Sequence, residues 1–258
     1  MNRIILIAMF LALVSACSTT RVIDEGEYLF TGSKVEVKKD TIADISPHEL
    51  EKKLEKAASS RTNKELFGFI PLKLWLYNLA GDSVPDKGFR HWMKNSLGEP
   101  PVLFRNYSVE AKEAEMMQVL QNNGFFHPEI QTERITDGKK ISLLHRVHVQ
   151  KPYYFNQLQY PEPRDSLSAH IKEMEGATLI RRNEQFSLQT LKKERERIDA
   201  GLKREGFYYF LEDYLYFQLD TLGAKRKINM KMALKANVPE EAARIYTIGQ
   251  VYMHHDSL

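Results

Sequence analysis

Cys17, the single cysteine of the chain, is the residue whose surroundings most clearly indicate chemistry. It follows a basic residue, Arg3, then an apolar run from Ile4 to Val14 and the small residues Ser15 and Ala16. This order is typical of a secretory signal, and the run is too short for a membrane-spanning helix, which needs about 20 apolar residues. A lone thiol in an exported chain is either free and reactive in an oxidising compartment or covalently modified.

Two processing routes fit this segment. Val14 and Ala16 suit an ordinary signal peptidase, which would leave a secreted protein with one free thiol. The stretch Val14-Ser15-Ala16-Cys17 also resembles the lipobox at which bacterial lipoproteins are cleaved and acylated on the cysteine sulfur, and we favour this route because the chain has no other cysteine. Several acyl chains, at roughly 0.8 kcal/mol per buried methylene, would hold Cys17 at a membrane. No acidic residue stands beside Cys17, which by resemblance to known lipoproteins favours the outer membrane.

The other reactive residues form no recognisable catalytic or metal-binding pattern. His145 and His148 lie three apart on a predicted strand and point to opposite faces, and the pair His254-His255 fails likewise. Neither a Gly-rich phosphate loop nor a Gly-x-Ser-x-Gly turn is present. The 37 basic and 34 acidic residues are mixed along the chain, unlike a nucleic-acid-binding surface. We therefore expect no enzyme, no metal, no nucleic-acid partner, and no cofactor apart from the covalent lipid on Cys17.

Behind the signal, the sequence predicts two copies of one strand–helix–helix–strand–strand unit. The first copy is predicted at Lys34–Val37, Pro47–Ala57, Ser108–Asn122, Ile130–Ile135 and Lys140–Val149, and the second at Tyr153–Tyr160, Asp165–Met174, Ser187–Arg204, Tyr208–Leu219 and Lys227–Leu234. The stretch LKREGFYYF at Leu202–Phe210 mirrors LQNNGFFHP at Leu120–Pro128, 82 residues earlier. The segment Ser59–Arg105, rich in proline after Asp82, is predicted to be an irregular insertion in the first copy.

A third copy is predicted to begin near the end of the sequence, because Tyr246–Val251 resembles Tyr153–Leu158. A lone strand cannot bury its apolar face, so we expect a longer protein, with a frayed tail as the alternative. We predict a signal peptide at 1–16, a lipidated tether at 17–32, a first domain at 33–150 with an insertion at 59–105, a second domain at 151–237 and the start of a third at 238–258.

The repeated unit behind an export signal resembles the POTRA domain of the BamA/TamA family of outer-membrane assembly proteins. CSTTRVIDEGEYLFTGSKVEV after the signal, GEPPVLFR at Gly98–Arg105 and NNGFF at Asn122–Phe126 are similar to its lipidated TamA-like branch, TamL. The resemblance implies an α+β fold of tandem POTRA domains, each a three-stranded mixed sheet with two helices on one face. It also implies a lipid-anchored periplasmic region at the bacterial outer membrane, a C-terminal β-barrel missing from this sequence, a TamB-like periplasmic partner and unfolded outer-membrane protein clients.

POTRA domains are thought to bind clients by adding a client strand to an open sheet edge, which the resemblance places at the first strand of the hairpin. In the second copy this strand is Phe207–Phe217. Strict alternation places Phe207, Tyr209, Leu211, Leu215 and Phe217 on one face, and Tyr208, Phe210, Glu212, Tyr214 and Tyr216 on the other. The second face would leave four half-exposed aromatics, Tyr208, Phe210, Tyr214 and Tyr216, as a partner-binding stripe. The alternative is that neighbouring domains cover them.

A second candidate contact is the apolar segment Leu66–Leu79, which contains Trp75 and Tyr77. It could lie against the membrane surface or pack on its own domain. The predicted function is assistance in the assembly, insertion or translocation of outer-membrane proteins. The alternatives are a free-standing periplasmic lipoprotein adaptor without a barrel and, less favoured, a lipoprotein hydrolase, which would need a nucleophile and a base in one cleft.

Overall fold

In the computed structural model, the described residues are 20–39, 47–63, 65, 71–81, 85–222 and 225–252. They fall into two compact units. The first unit takes its described residues from Met1–Lys38, Ile45–Val119 and Glu129–His148, and the second from Lys39–Asp44, Leu120–Pro128 and Val149–Leu258. Cys17 and the predicted signal peptide lie outside the described residues.

The first unit contains a three-stranded sheet with the strand order β1-β3-β2. Its elements are β1 (Leu29–Lys39), α1 (Pro47–Ala58), α2 (Leu72–Ala80), α3 (Phe89–Trp92), α4 (Val109–Asn122), β2 (Glu129–Asp137) and β3 (Lys140–Val149). β2 and β3 form an antiparallel hairpin from Glu129 opposite His148 to Asp137 opposite Lys140. The turn between them contains Gly138 at a positive φ of 56°, as expected for an Asp-Gly hairpin. α4 begins after Ser108, whose Oγ accepts a hydrogen bond from the Ala111 amide at 3.1 Å.

The core of the first unit lies between the sheet and the helices. α1 buries Leu50, Leu54 and Ala58, which are four residues apart and therefore share one face. β3 buries every second residue, namely Ile141, Leu143, His145, Val147 and Val149. The tilted rings of Phe30 from β1 and Tyr107 lie 4.5 Å apart and belong to one buried cluster with Ile141 and Leu143. The alternation along β3 fixes its register, because a slip of one residue would expose this whole row.

The prediction that residues 59–105 are irregular is wrong for the described part of this segment. It contains α2 and α3, and α3 continues into a π-helical turn, Met93–Leu97. The prolines stand outside these helices: Pro71 immediately precedes α2, where its carbonyl accepts a hydrogen bond from the Trp75 amide at 2.9 Å. Proline is tolerated at a helix start, so the prolines mark boundaries between short helices here.

The second unit has the strand–helix–helix–strand–strand order of the first without the additional helices α2 and α3. Its elements are β4 (Tyr154–Gln159), α5 (Ser166–Glu173), α6 (Leu188–Arg204), β5 (Leu215–Leu222) and β6 (Lys227–Leu234). The strand order is β4-β6-β5, with β4 parallel and β5 antiparallel to β6. Both helices begin where predicted, because Asp165 forms a capping box with Ser168 and Ser187 caps α6. The predicted α+β fold with three-stranded mixed sheets is confirmed.

The prediction of one strand from Tyr208 to Leu219 is wrong in its first half. After α6 the chain reverses at Gly206, where φ is 95°, and a 3₁₀ turn at Glu212–Tyr214 follows before β5 begins at Leu215. Phe207 and Phe210 are both fully buried in the core of the second unit. Residues three apart cannot share a face of a strand, so the burial of both rings requires the chain to turn here.

Residues 244–252, which include most of the predicted opening of a third copy, form neither helix nor strand. The third copy and the predicted domain boundaries stay predictions. Within the part of the chain that the structure describes, every helix is too short or too polar to cross a membrane.

Candidate functional site

The two edges of the second unit's sheet differ, because the chain covers the first residues of the β4 edge. At β4, the Phe155 amide donates to the Glu184 carbonyl at 2.9 Å and the Phe155 carbonyl accepts from the Asn183 amide at 2.7 Å. A further bridge joins Tyr154 to Gln185. At the opposite edge, β5 pairs with β6 alone among the described strands. β5 is therefore the edge at which another strand could be added.

A groove of about 320 Å³ runs between β5 and the first half of α6. Apolar side chains from both elements line it together with basic ones: Leu188, Leu191, Phe217 and Leu219, and Lys192, Arg195 and Lys235. Leu219 is 43% exposed, which is unusual for a leucine in the middle of a strand. An extended segment laid along β5 would place every second side chain in this groove.

Arg195 of α6 fixes the point at which β5 begins. Its Nε donates to the Glu212 carbonyl at 2.9 Å, and its Nη2 forms an ion pair with Asp213. On the other side of the turn, the Lys235 amide donates to the Tyr214 carbonyl at 2.9 Å. These bonds hold the 3₁₀ turn against the helix, so that the open edge starts at Leu215.

A buried ionic cluster connects α6 to Tyr160 and Leu179 of the second unit. Glu194 is fully buried and accepts hydrogen bonds from Tyr160 Oη, the Leu179 amide and the guanidinium of Arg197. Burial alone would raise the pKa of Glu194, but the hydrogen bonds and the charge of Arg197 outweigh burial and lower it. Burial and the bond to Glu194 raise the pKa of Tyr160. Glu194 is thus an ionised, structural residue.

The edge of the first unit has a different character. β2 pairs only with β3 among the described strands, so it too lies at an edge. Its exposed side chains include Glu129, Glu133, Arg134 and Asp137, whereas β5 carries a single charge, Asp220. Charges on an edge strand discourage strand addition, so β5 is the better acceptor.

The predicted stripe of four aromatics is not one surface. Phe210 is a core residue, and the prediction that it shares an exposed face with Tyr208 is wrong because the chain turns between them. Tyr216 lies on β5 at the groove and is 37% exposed, while Tyr214 is half-buried against the core. Tyr208 is 68% exposed. It lies between the end of α6 at Arg204 and the start of β5 at Leu215, and therefore outside the edge strand. Partner binding by these residues stays a prediction.

Trp75 and Tyr77 are both half-buried on α2. Lys94 places its Nζ 4.9 Å from the centre of the Tyr77 ring, which orders this part of the first unit. A membrane contact at these two residues stays a prediction, and Leu66–Ile70 lie outside the described residues.

His145 is a satisfied core residue. Its Nδ1 lies 2.8 Å from Thr132 Oγ1 and its Nε2 3.3 Å from Tyr107 Oη, and Thr132 in turn donates to Glu113. Burial lowers the pKa of His145, and the negative charge of Glu113 opposes that effect. In the described ranges, groups of three or more His, Cys, Asp or Glu that could hold a metal ion are absent, and His254-His255 fall outside those ranges.

Sequence reasoning missed Leu219 and Arg195 as site residues. The sequence signal that could have indicated Leu219 is the number of apolar residues in β5. Once the core positions of this strand are filled, one apolar residue is left exposed. The contact between Arg195 and Glu212 could not be found in this way, because it depends on a turn that the sequence pattern concealed.

No family model and no curated protein matches the chain. Solved structures that resemble it are POTRA regions of BamA and Omp85. BamA POTRA domains 3–5 of Haemophilus influenzae are 13% identical, with 84% of this chain and 70% of that chain covered and a TM-score of 0.42.

BamA of Haemophilus ducreyi lacking POTRA domains 1–3 is 11% identical, with 81% of this chain covered and a TM-score of 0.40. Omp85 POTRA domains 1–3 of Anabaena are 12% identical, with 81% of this chain covered and a TM-score of 0.35. The chain spans 29% of the first of these two proteins and 62% of the second. Both the sequence identities and the TM-scores are low.

Proposed function

We propose that this chain is the periplasmic POTRA region of an outer-membrane lipoprotein that assists the assembly, insertion or translocation of outer-membrane proteins. In this proposal the groove between α6 and β5 receives an extended client segment by strand addition. The observation that carries the proposal is the open β5 edge beside an apolar groove, in a sheet whose other edge is covered at Tyr154 and Phe155.

Strand addition suits a protein that handles many clients. Backbone hydrogen bonds supply affinity that does not depend on the client sequence, and a groove beside the edge selects for apolar side chains at every second position. Strands of outer-membrane proteins have this alternation. The basic side chains Lys192 and Lys235 at the groove add attraction for acidic segments.

The proposal includes an anchor and partners. Cys17 carries the covalent lipid, a β-barrel lies beyond this region, and a TamB-like periplasmic protein is a partner. The chain acts by binding, without catalysis and without a metal or organic cofactor.

Peptide binding tests the groove directly. A fluorescent peptide of roughly ten residues, alternating apolar and polar side chains like a transmembrane β-strand, is titrated with the chain and followed by anisotropy. Leu219→Glu places a charge in the groove and is expected to weaken binding about tenfold, since losing one apolar contact and burying a charge cost at least 1–2 kcal/mol, with 1.4 kcal/mol corresponding to tenfold.

Ile135→Glu is the matched control. Ile135 is 47% exposed on the charged edge strand β2, so the same substitution there leaves affinity unchanged. A peptide methylated on alternate backbone nitrogens cannot complete the ladder and binds weakly. Equal loss with both variants, or full binding of the methylated peptide, would contradict strand addition at β5.

A further inference from the structure

Three stretches of the second unit meet beside the start of β4. Lys227 Nζ donates a hydrogen bond to Asn183 Oδ1 at 2.6 Å, which joins the start of β6 to the loop before α6. The guanidinium of Arg226 donates to the Lys151 carbonyl at 2.6 Å and to Gln150 Oε1 at 2.5 Å. One surface, here called the basic corner, is therefore formed by stretches that lie far apart in sequence: residues 150–153, 181–185 and 225–227.

The basic corner concentrates positive charge. Its three stretches contain one acidic residue, Glu184, and six basic residues, namely Lys151, Arg181, Arg182, Lys225, Arg226 and Lys227. Six positive charges and one negative charge leave the corner at +5, more than the net charge of +3 of the whole chain. Because like charges held close together repel one another, this arrangement is stabilised when an anion neutralises it.

The backbone of the corner is held in an unusual conformation. Asn183 and Arg226 have φ values of 69° and 47°, and among the described residues they alone combine a positive φ with a side chain. For an arginine this conformation is strained, and such strain persists only where the surrounding structure supports it, often at binding sites. The hydrogen bonds of Arg226 to residues 150 and 151 supply that support here.

Two of the cations are also fixed by aromatic rings. The Arg226 guanidinium lies 5.8 Å from the centre of the Tyr153 ring, and Lys227 Nζ lies 5.5 Å from the centre of the Tyr154 ring. A ligand of the corner therefore meets charges that are already in place, which lowers the entropy cost of binding.

A cavity of about 530 Å³ adjoins the corner, and Arg182 contributes to its wall. Amide and hydroxyl groups line it beside apolar side chains: Asn156, Gln157 and Thr178, and Leu158 and Ile180. The carboxylate in the lining, Glu175, is paired with Lys172 at 2.8 Å. Amide groups next to apolar side chains suit a peptide better than a phosphate group, which is bound through charged and N–H donors alone.

The corner lacks the side chains with which proteins enter a bilayer surface. A membrane-binding surface combines basic residues with exposed apolar ones. Among the described residues of the three stretches, large apolar side chains are not exposed: Tyr153 is buried and Tyr154 half-buried. The nearest exposed one in sequence is Leu179, two residues before Arg181. This composition favours a protein ligand over a lipid surface.

We infer that the basic corner binds an acidic, extended segment of a partner protein. Arg181 and Arg182 are exposed, and each presents a planar guanidinium that can bind a carboxylate through two hydrogen bonds. The ion pair of Arg181 with Glu184, at 4.0 Å and exposed, is too weak to prevent this. The corner lies at β4, the opposite edge of the sheet from β5, so the inference does not depend on strand addition in the groove.

Binding of a labelled acidic peptide tests the inference. A fluorescent peptide of about eight residues, in which Glu and Ser alternate, is titrated with the 258-residue chain and followed by anisotropy. The same peptide with Gln in place of Glu should bind much more weakly. Arg181→Glu combined with Arg182→Glu is expected to weaken binding of the acidic peptide at least about tenfold, and the affinity of the wild-type protein should fall as salt rises.

Arg164→Glu combined with Arg204→Glu is the matched control. Both arginines are exposed in the second unit outside the corner, so this variant has the same net charge and should keep its affinity within about twofold. Leu219→Glu, in the groove, should do the same. If charge reversal disturbs the fold, as judged from the thermal unfolding midpoint, Arg181→Gln combined with Arg182→Gln replaces it and should still weaken binding several-fold.

Failure of the acidic peptide to bind would overturn the inference, as would an equal loss of affinity in both double variants, which would show an effect of net charge alone. Loss of binding in Leu219→Glu would instead place the acidic peptide in the groove. Vesicles that contain phosphatidylglycerol are tested in parallel by sedimentation. If they bind through Arg181 and Arg182 while the peptide does not, the ligand is a lipid surface and the inference is wrong.

Discussion

Glu194 shows how one buried charge supports a binding surface that it does not touch. It lies one residue before Arg195, the side chain that fixes the start of β5. It holds α6 through Tyr160 and Leu179, and Arg197 of the same helix balances its charge. A carboxylate without these partners could not be buried in an ionised form. Its role is to hold the helix that forms one wall of the groove.

Glu194→Gln is expected to lower the free energy of unfolding of the second unit by about 2–3 kcal/mol, because Arg197 loses its ionic partner inside the protein. Urea denaturation at neutral pH measures the loss. Glu196→Gln, on the exposed face of the same helix, is the matched control and should change stability by less than about 0.5 kcal/mol. Equal effects of the two variants would show that Glu194 is not a structural ion.

The lowered pKa of Glu194 also predicts an acid dependence. Its carboxylate contributes stability above the ordinary glutamate pKa of 4.5, and this contribution is lost as the pH falls through the lower pKa of the folded protein. The difference in unfolding free energy between the wild-type protein and Glu194→Gln should therefore shrink on acidification below pH 4.5.

His145 predicts a second pH dependence, in the first unit and nearer neutrality. Because burial lowers its pKa in the folded protein, the unfolded chain binds more protons as the pH falls through 6.5, and the unfolding free energy falls with it. His145→Gln keeps polar atoms near Tyr107 and Thr132 but does not titrate in this range. The unfolding free energy of this variant, measured in urea between pH 5 and 8, should depend less on pH than that of the wild-type protein.

At the scale of secondary structure, the glycine that follows a helix is constrained in both its backbone conformation and the space around it. Gly124 has a positive φ, and a side chain there would lie 3.1 Å from the Tyr153 carbonyl oxygen and 3.2 Å from Phe186. Gly124→Ala is expected to cost about 1–2 kcal/mol from the left-handed backbone alone. Thermal or urea unfolding measures this cost. Gly176→Ala, where a side chain would meet nothing within 4 Å, is the control and should be close to neutral.

The elements with local signals were predictable from the sequence. Ser108, Asp165 and Ser187 mark three of the helix starts that the structure confirms, and the hairpin around Gly138 follows from its turn residues. These features depend on hydrogen bonds within a few residues of the chain, so the sequence alone contains them.

The beginning of β5 was not predictable in the same way. The run from Phe207 to Phe217 has strand-forming residues throughout, and an aromatic side chain suits either a strand face or a buried turn. The choice is made by tertiary contacts: Phe207 and Phe210 fill the core, and Arg195 holds the turn. The open groove and its residue Leu219 follow from that choice.

At the scale of the whole molecule, the proposed anchor determines where both units act. In the 258-residue chain, Cys17→Ser should move the protein from the membrane fraction to the soluble periplasmic fraction, because the acyl chains are the only lasting membrane attachment that the proposal places within these residues. Metabolic labelling with palmitate should mark the wild-type protein and not the variant. Unchanged labelling would place the lipid elsewhere, and an unlabelled wild-type protein would favour cleavage by the ordinary signal peptidase.

The whole chain also carries both signs of charge in near balance, with a net charge of +3. Long-range steering of highly charged partners is therefore weak, and recognition depends on contacts at short range. For a peptide without acidic side chains, binding at the groove should accordingly change little between low and moderate salt, which distinguishes strand addition from non-specific attraction to anionic polymers.

The turn that Arg195 holds gives β5 a fixed starting point, and this strand of eight residues ends at Leu222. At about 3.3 Å per residue this edge offers roughly 26 Å of backbone. A bound segment longer than that forms no further backbone hydrogen bonds with β5. The length of β5 therefore limits the binding energy: affinity should rise with the length of the bound segment up to eight residues and then level off, whatever protein the segment comes from.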